Sequence, residues 1–200
     1  MFTVYAIVKF SIILVGVVST QHQPLETLSP QEFRDLHNAF RKMILDGSVS
    51  NQPKAKKMPD LVLDTNLNED AKKWGENCVY KHEPQIRDGE NLAVSANITE
   101  NYFRSIQLLT ISPTFFESPV ELWFDKHRTY KFGKLTSEAS TQTDPYTQVV
   151  WEKTKRLGCY QNFCKAMKDG KGNSLGQAYF SVCRYSPSGN IMNEEPYQRA

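Results

Sequence analysis

Four cysteines are the residues whose chemistry the sequence constrains most tightly, and they lie at Cys78, Cys159, Cys164 and Cys183. They could hold a metal ion or form disulfides. No C-x-x-C pair of the kind found in structural zinc sites occurs. An even number of cysteines is typical of a protein from an oxidising compartment. The sequence therefore predicts two disulfides, with three pairings still open.

Nucleophilic catalysis finds little support in the sequence. There is no G-x-S-x-G element, and oxidised cysteines offer no thiolate. We expect His37 to lie inside a helix, bonded to the backbone or to a nearby polar group. We expect His82 to order its loop by hydrogen bonding, and Glu90 to satisfy backbone donors of its own turn. Hydrolysis is therefore disfavoured.

The N-terminus is typical of a secreted protein. Residues 6–18 are apolar apart from Lys9, and the small residues around position 19 suit signal-peptidase cleavage. We predict a signal peptide over residues 1–20. An uncleaved membrane anchor stays the alternative, because residues 1–5 carry no lysine or arginine. After secretion Asn97, in an N-x-T sequon, could carry a glycan.

The charge balance disfavours nucleic acid as a partner. The formal net charge is +2, and no basic stretch is interleaved with aromatic residues. Lys54, Lys56 and Lys57 form a small basic cluster, which a solvated loop explains. The 200 residues suit one domain.

Capping patterns predict three helices. Residues 29–32 form a capping box that predicts a first helix, and residues 118–121 repeat the pattern for a third. We predict a second helix over residues 66–78, capped by Asn66. Residues 97–118 contain a stretch whose secondary structure the sequence does not place.

The last third of the chain is strand-like. Residues 147–151 are rich in β-branched and aromatic residues, and residues 177–185 alternate in polarity. A turn cluster over residues 168–173 predicts a hairpin between the strand that contains Cys159 and the later strand. Helices followed by strands indicate an α+β fold.

Several motifs together resemble the CAP superfamily of cysteine-rich secretory, antigen 5 and pathogenesis-related 1 proteins. They are residues 89–92, 144–151, 157–159 and 181–190. The resemblance implies a disulfide-bonded three-layer α-β-α sandwich in one domain over residues 21–200, with its core at about 29–195. It also implies the pairings Cys78 with Cys164 and Cys159 with Cys183. Helminth venom allergen-like proteins are the members that the chain most resembles.

The resemblance further implies a cleft in which two histidines and two glutamates hold a divalent cation. His82 and Glu90 match two of these positions, whereas Lys126 and Pro145 stand at the other two. Lysine adds a positive charge and proline offers no side-chain donor. We therefore expect no metal and no cofactor here. Asp125 and His127, beside Lys126, should point elsewhere because neighbouring helical residues lie about 100° apart.

Lipid binding is the function that the resemblance favours. Candidate contacts lie in the loop over residues 129–146, at Tyr130, Phe132 and Tyr146, and on the first helix, at Leu36, Phe40 and Met43. Core packing is the alternative role for both sets. We expect a secreted, non-catalytic carrier of a sterol or fatty acid, without integral membrane association after signal cleavage. The alternatives are an extracellular protein partner bound at the surface and a metal-assisted hydrolase.

Overall fold

The computed structural model describes residues 27–96, 118–136 and 140–200. The predicted signal peptide, the Asn97 sequon and most of the unplaced stretch lie outside these residues. No helix within the described ranges has the length and apolar character needed to cross a membrane.

Four α-helices occur in the described part of the chain, and we number them in chain order. Helix α1 has the predicted capping box, since the Ser29 hydroxyl accepts from the backbone of Glu32 while the Glu32 carboxylate accepts from that of Ser29. Ser118 caps α3 in a similar way through the Glu121 backbone. The helices are α1 (Pro30–Asp46), α2 (Thr65–Gly75), α3 (Pro119–Asp125) and α4 (Ser140–Val149), and a 3₁₀ turn (Lys126–Arg128) follows α3.

A five-stranded sheet is built around the predicted hairpin. The strands are β1 (Val62–Leu63), β2 (Val79–Tyr80), β3 (Gly89–Ala96), β4 (Arg156–Asp169) and β5 (Ser174–Ser186). Strands β4 and β5 pair antiparallel, and β3 pairs antiparallel with the far side of β5. The short β1 and β2 run parallel to β4 near its two ends. Both Cys159 and Cys164 lie on β4.

Helices cover both faces of the sheet, which gives the three-layer α-β-α sandwich. Helix α2 packs on one face over a smaller apolar cluster that includes Phe180 and Val182. Helices α1, α3 and α4 pack on the other face over the larger core. Successive side chains of β5 point to opposite faces of the sheet, so they enter the smaller cluster and the larger core alternately. Gly158 lets α2 approach β4 closely, since a Cβ there would overlap the backbone of Leu67 and Asn68.

The second helix begins and ends earlier than predicted. Asp64, not Asn66, is the cap, because its carboxylate accepts from the backbone N–H groups of Asn66 and Leu67. The helix ends at Gly75, and Cys78 follows it with a positive φ of 53°. Asparagine and aspartate both suit a cap, so composition alone does not decide between positions two residues apart.

The strand predicted over residues 147–151 is wrong. Residues 147–149 are the end of α4, and a turn follows. These residues are almost wholly buried. A fully buried helical segment and a buried strand share the same apolar pattern, so periodicity does not separate them in so short a run.

Two disulfides cross-link the fold, and they are the pairs that the resemblance implies. Cys78 is bonded to Cys164 and Cys159 to Cys183. The first joins the segment after α2 to β4, and the second links β4 to β5. All four cysteines of the chain are thereby oxidised.

Candidate functional site

His82 and Glu90, the two retained positions of the cleft, are in direct contact. His82 Nδ1 lies 2.6 Å from Glu90 Oε1, and the Glu83 backbone N–H donates to the same oxygen at 3.2 Å. The carboxylate is buried at 3% exposure, whereas the imidazole is 70% exposed. His82 therefore bonds to the Glu90 side chain, and Glu90 accepts from the backbone of Glu83 and not from donors of its own turn, so the expected role of Glu90 is wrong in its partner. Glu90 lies on β3, however, and not in a turn.

Arg184 occupies the other side of the Glu90 carboxylate. Its Nη1 lies 2.6 Å from Glu90 Oε2, a charge contact without hydrogen-bond alignment, and its Nη2 donates to Glu83 Oε2 at 2.5 Å. The arginine side chain is 1% exposed. Glu90 on β3 and Arg184 on β5 are cross-strand partners in the sheet register. The buried carboxylate therefore has an internal cation.

The electrostatics of the His82–Glu90 pair favour the charged form of both groups. The hydrogen bond with Glu90 is the largest effect on His82 and raises the pKa of its imidazole above the usual value, against the opposing effect of burial. Burial tends to raise the pKa of Glu90. The hydrogen bond from His82 and the charge of Arg184 outweigh that tendency and hold the pKa of Glu90 below its usual value.

Pro145 and its neighbour Asp144 form the α4 side of the cleft. The Pro145 carbonyl accepts from Asn91 Nδ2 at 2.9 Å, so its oxygen is already used within the fold. Burial raises the pKa of Asp144, while the charge of His82 opposes that rise. Asp144 Oδ1 is buried and has no hydrogen-bond partner among the described residues.

The residues around the second lost position do not replace it. Lys126 begins the 3₁₀ turn and is exposed. Asp125 pairs with Arg128. The His127 ring packs against Phe124 at a centroid distance of 5.2 Å, and burial lowers the pKa of this histidine.

The residues present do not fit the divalent cation that the family cleft implies. A zinc site needs three or four ligands with open lone pairs. Here one Glu90 oxygen accepts from His82 and from backbone, and the other faces the Arg184 guanidinium. No group of three or more histidine, cysteine, aspartate or glutamate residues in the described ranges is placed to hold a metal ion. An incoming cation would have to displace a buried arginine.

His37 links α1 to the centre of the sheet, as its expected structural role requires. Its Nδ1 donates to the Phe33 carbonyl at 2.7 Å, so its Nε2 accepts from the Tyr185 hydroxyl at 2.8 Å. Asn91 in turn donates to the Tyr185 oxygen at 3.1 Å. Burial lowers the pKa of His37 to about 4, which keeps the imidazole neutral near pH 7.

The aromatic candidates for lipid contact lie mostly in the core. Tyr146 is fully buried and belongs to α4, so the interpretation of residues 129–146 as one loop is wrong. Tyr130 is 6% exposed, and its hydroxyl donates to the Gly133 carbonyl. The Phe132 ring lies 4.8 Å from the Tyr197 ring. These side chains contact one another and leave little aromatic surface for a ligand.

The α1 candidates are less buried than the aromatic ones. Leu36 and Phe40 are half-buried against the core, and Phe40 stacks on Phe124 at 4.3 Å. Met43 is 38% exposed. One side of α1 therefore presents a partly accessible apolar stripe, which we define as Leu36, Phe40 and Met43.

Sequence reasoning did not find Arg184, Glu83 or Asp144 as parts of the cleft. Arg184 is 94 positions from Glu90, and only the β3–β5 register brings them together. Pairing the strand that contains Glu90 with the strand that contains Cys183 could have revealed a cross-strand charge pair.

The chain is similar to proteins of one family. The cysteine-rich secretory protein family (CAP) matches residues 34–185. Salivary antigen-5 of Triatoma infestans is 31% identical over 181 residues, which cover 84% of this chain and 71% of that protein. A crystal structure of NaASP2 with Zn²⁺ superposes with a TM-score of 0.63 at 26% identity, covering 86% of this chain and 85% of the other. Schistosoma mansoni venom allergen-like protein 4 shares the fold, with a TM-score of 0.60, 22% identity and coverage of 86% and 97%.

Proposed function

The chain belongs to the cysteine-rich secretory protein (CAP) family, and from that premise we propose that it is a secreted, non-catalytic carrier of a sterol or fatty acid that acts without a metal ion. We infer that it binds this lipid outside the cell, in keeping with the name of one relative, salivary antigen-5. The predicted signal peptide and the oxidised cysteines support secretion.

The observation that carries the proposal is that cationic side chains of the protein itself already neutralise the Glu90 carboxylate. Arg184 and His82 both contact it, and Arg184 also holds Glu83. A hydrolase of the metal-assisted kind needs an open coordination position and an activated water. A thiol nucleophile is also absent, because all four cysteines are bonded in pairs. What is left of the cleft acts as a structural cluster.

The apolar stripe on α1 supports lipid as the cargo. Lipid sites are predominantly apolar concave surfaces with few polar groups. Leu36 and Phe40 are only half-buried, and Met43 is the most exposed of the three. The better buried Tyr130 and Tyr146 contribute core packing in this account.

Lipid extraction from the natively secreted protein, followed by mass spectrometry, tests the proposal. We expect a co-purifying sterol or fatty acid, and saturable rebinding after delipidation. A protein that carries no lipid and rebinds none would contradict the proposal and favour a surface-mediated interaction with an extracellular protein.

Met43→Glu tests the α1 stripe with a matched control. A carboxylate placed there should weaken binding of an apolar cargo by about fivefold or more, because burying a charge without a partner is costly. Met192→Glu makes the same change at a residue that is 48% exposed and outside the stripe, and it should leave binding unchanged. Equal affinities for the two variants would remove α1 from the site.

A further inference from the structure

A groove of about 700 Å³ lies where the end of α1 meets residues 56–59, residues 152–155 and Pro187. We call it the lysine groove. Its volume falls within the range of about 300–1,000 Å³ that is usual for small-molecule sites. It shares no lining residue with the His82–Glu90 cleft or with the α1 stripe.

The floor of the lysine groove is apolar. Leu45 and Met58 lie at its base, half-buried and 5% exposed respectively. Pro59 and Pro187 also line the groove and are exposed. This surface loses hydration when an apolar group covers it, which favours binding.

Lysines surround this floor. Lys56, Lys57, Lys153 and Lys155 line the groove with Glu152, and four lysines against one carboxylate leave a formal charge of +3. Lys57 pairs with Glu152 at 3.1 Å, and Lys153 pairs with Glu194 at 2.7 Å. Lys56 and Lys155 are exposed and form no ion pair within the described ranges. The interpretation of Lys56 and Lys57 as part of a solvated loop therefore leaves out two lysines of the groove, which lie about 100 residues later in the chain.

The segments that line the groove are fixed by hydrogen bonds. Arg41 donates to the Pro59 carbonyl at 2.7 Å through Nη2 and to the Trp151 carbonyl at 2.9 Å through Nη1. The Glu152 carboxylate accepts from the Gln198 backbone at 2.8 Å, and the Lys155 backbone donates to Ser186 at 3.1 Å. A preformed site loses less conformational entropy on binding than a flexible one.

We propose that the lysine groove binds an amphipathic anion, a molecule with an apolar body and a single carboxylate or phosphate group. The apolar body covers Leu45, Met58 and the two prolines, while the anion lies between the ammonium groups of Lys56 and Lys155. Neither part suffices alone, because exposed ion pairs in water are weak. This inference rests on the proposed lipid-carrying function and names a separate site for its acidic cargo.

Calorimetric titration of the delipidated protein with decanoate, decyl phosphate and decanol tests the groove. We expect at least one of the two anions to bind about tenfold or more tightly than the uncharged decanol, and to bind more weakly at high salt. Lys56→Gln combined with Lys155→Gln should remove that advantage. The matched control is Lys165→Gln combined with Lys171→Gln, two exposed lysines at the far end of the hairpin, and it should bind like the original protein.

The two anions distinguish the head group, since the one that binds identifies carboxylate or phosphate as the recognised charge. Equal affinity for decanol and both anions overturns the groove, and so does undiminished anion binding in the Lys56 and Lys155 variant. Titration with cholesterol and palmitate separates this result from the broader proposal. Saturable binding of cholesterol that survives the variant leaves lipid carriage in place whatever the result for the groove, because cholesterol carries no anionic group.

Discussion

Glu90 determines the chemistry of the family cleft in this chain. Its carboxylate is 3% exposed and would be costly to bury without a cation. Where a family site supplies a metal ion, this chain supplies the guanidinium of Arg184 from the neighbouring strand and the imidazole of His82. The cleft has therefore become an internal ion-pair cluster.

Arg184→Met tests this cluster through stability. Removing the guanidinium leaves Glu90 buried without its main partner, so we expect a loss of about 3–5 kcal/mol in the free energy of unfolding, measured by urea denaturation. Adding Glu90→Gln to that variant should recover part of the loss, because it removes the uncompensated charge.

The control for Arg184 is Arg156→Met on β4. Arg156 is 54% exposed and lies 3.4 Å from Asp64, so its removal should cost about 1 kcal/mol or less. Similar losses for the two arginine variants would contradict the special role of Arg184.

The titration of His82 gives a second test at the residue scale. The raised pKa of His82 means that its contribution to stability is complete below pH 6.5 and is lost as the pH rises through the folded-state pKa. The lowered pKa of Glu90 gives the opposite sign, with stability present above pH 4.5 and lost as the pH falls through its folded-state pKa. The pair is therefore most stabilising between pH 4.5 and 6.5.

An NMR pH titration measures this directly. We expect the midpoint of His82 above 6.5, and we expect Glu90→Gln to lower it, because the hydrogen bond to a carboxylate is lost. His37 is an internal reference, since burial lowers its pKa to about 4. A His82 midpoint at or below 6.5 in the unmodified protein would contradict the described contact.

At the scale of elements, the fold requires a close approach of α2 and β4. Gly158→Ala would place a methyl group against the backbone of Leu67 and Asn68. Because the backbones of α2 and β4 have to move apart, we expect the free energy of unfolding to fall by about 3 kcal/mol. This is the upper end of the usual range for overpacked sites. Thermal or urea unfolding would measure it.

Gly133→Ala is the matched control for that change. Gly133 has no neighbouring atom within 4 Å of a built Cβ and has no positive φ. Its substitution should change the free energy of unfolding by about 0.5 kcal/mol at most. If Gly158→Ala were equally neutral, the described packing of α2 on β4 would be wrong.

The elements that the sequence predicted correctly are those with local signals. The capping box at Ser29 and the N-cap at Ser118 lie within a few residues of the helices that they start. The turn cluster after β4 likewise lies between the two strands that it joins. Helix α4 has no such signal, since it contains Pro145 and residues buried on all sides, so its apolar run predicts a strand instead.

The candidate site was only half predictable for a related reason. His82 and Glu90 are eight positions apart and were found together from their motifs. Arg184 and the groove lysine Lys155 reach their sites only through the sheet register and the packing of α1. Such long-range neighbours leave no trace in the local pattern of a single sequence.

At the scale of the whole molecule, the two disulfides and the three layers hold a fixed scaffold around surfaces of different character. The His82–Glu90 cleft is closed by internal charges, the α1 stripe is partly apolar and accessible, and the lysine groove is apolar with a cationic rim. One scaffold can support several functions, so function has to be argued from these surfaces and not from the fold.

The central claim is lipid carriage without a metal ion, and the most direct test is one titration performed twice. The natively secreted, delipidated protein is titrated with cholesterol and with palmitate, first in plain buffer and then with EDTA. We predict saturable binding of at least one lipid, with the same affinity in both buffers. Absence of binding to both lipids, or binding that disappears with EDTA, would contradict the account.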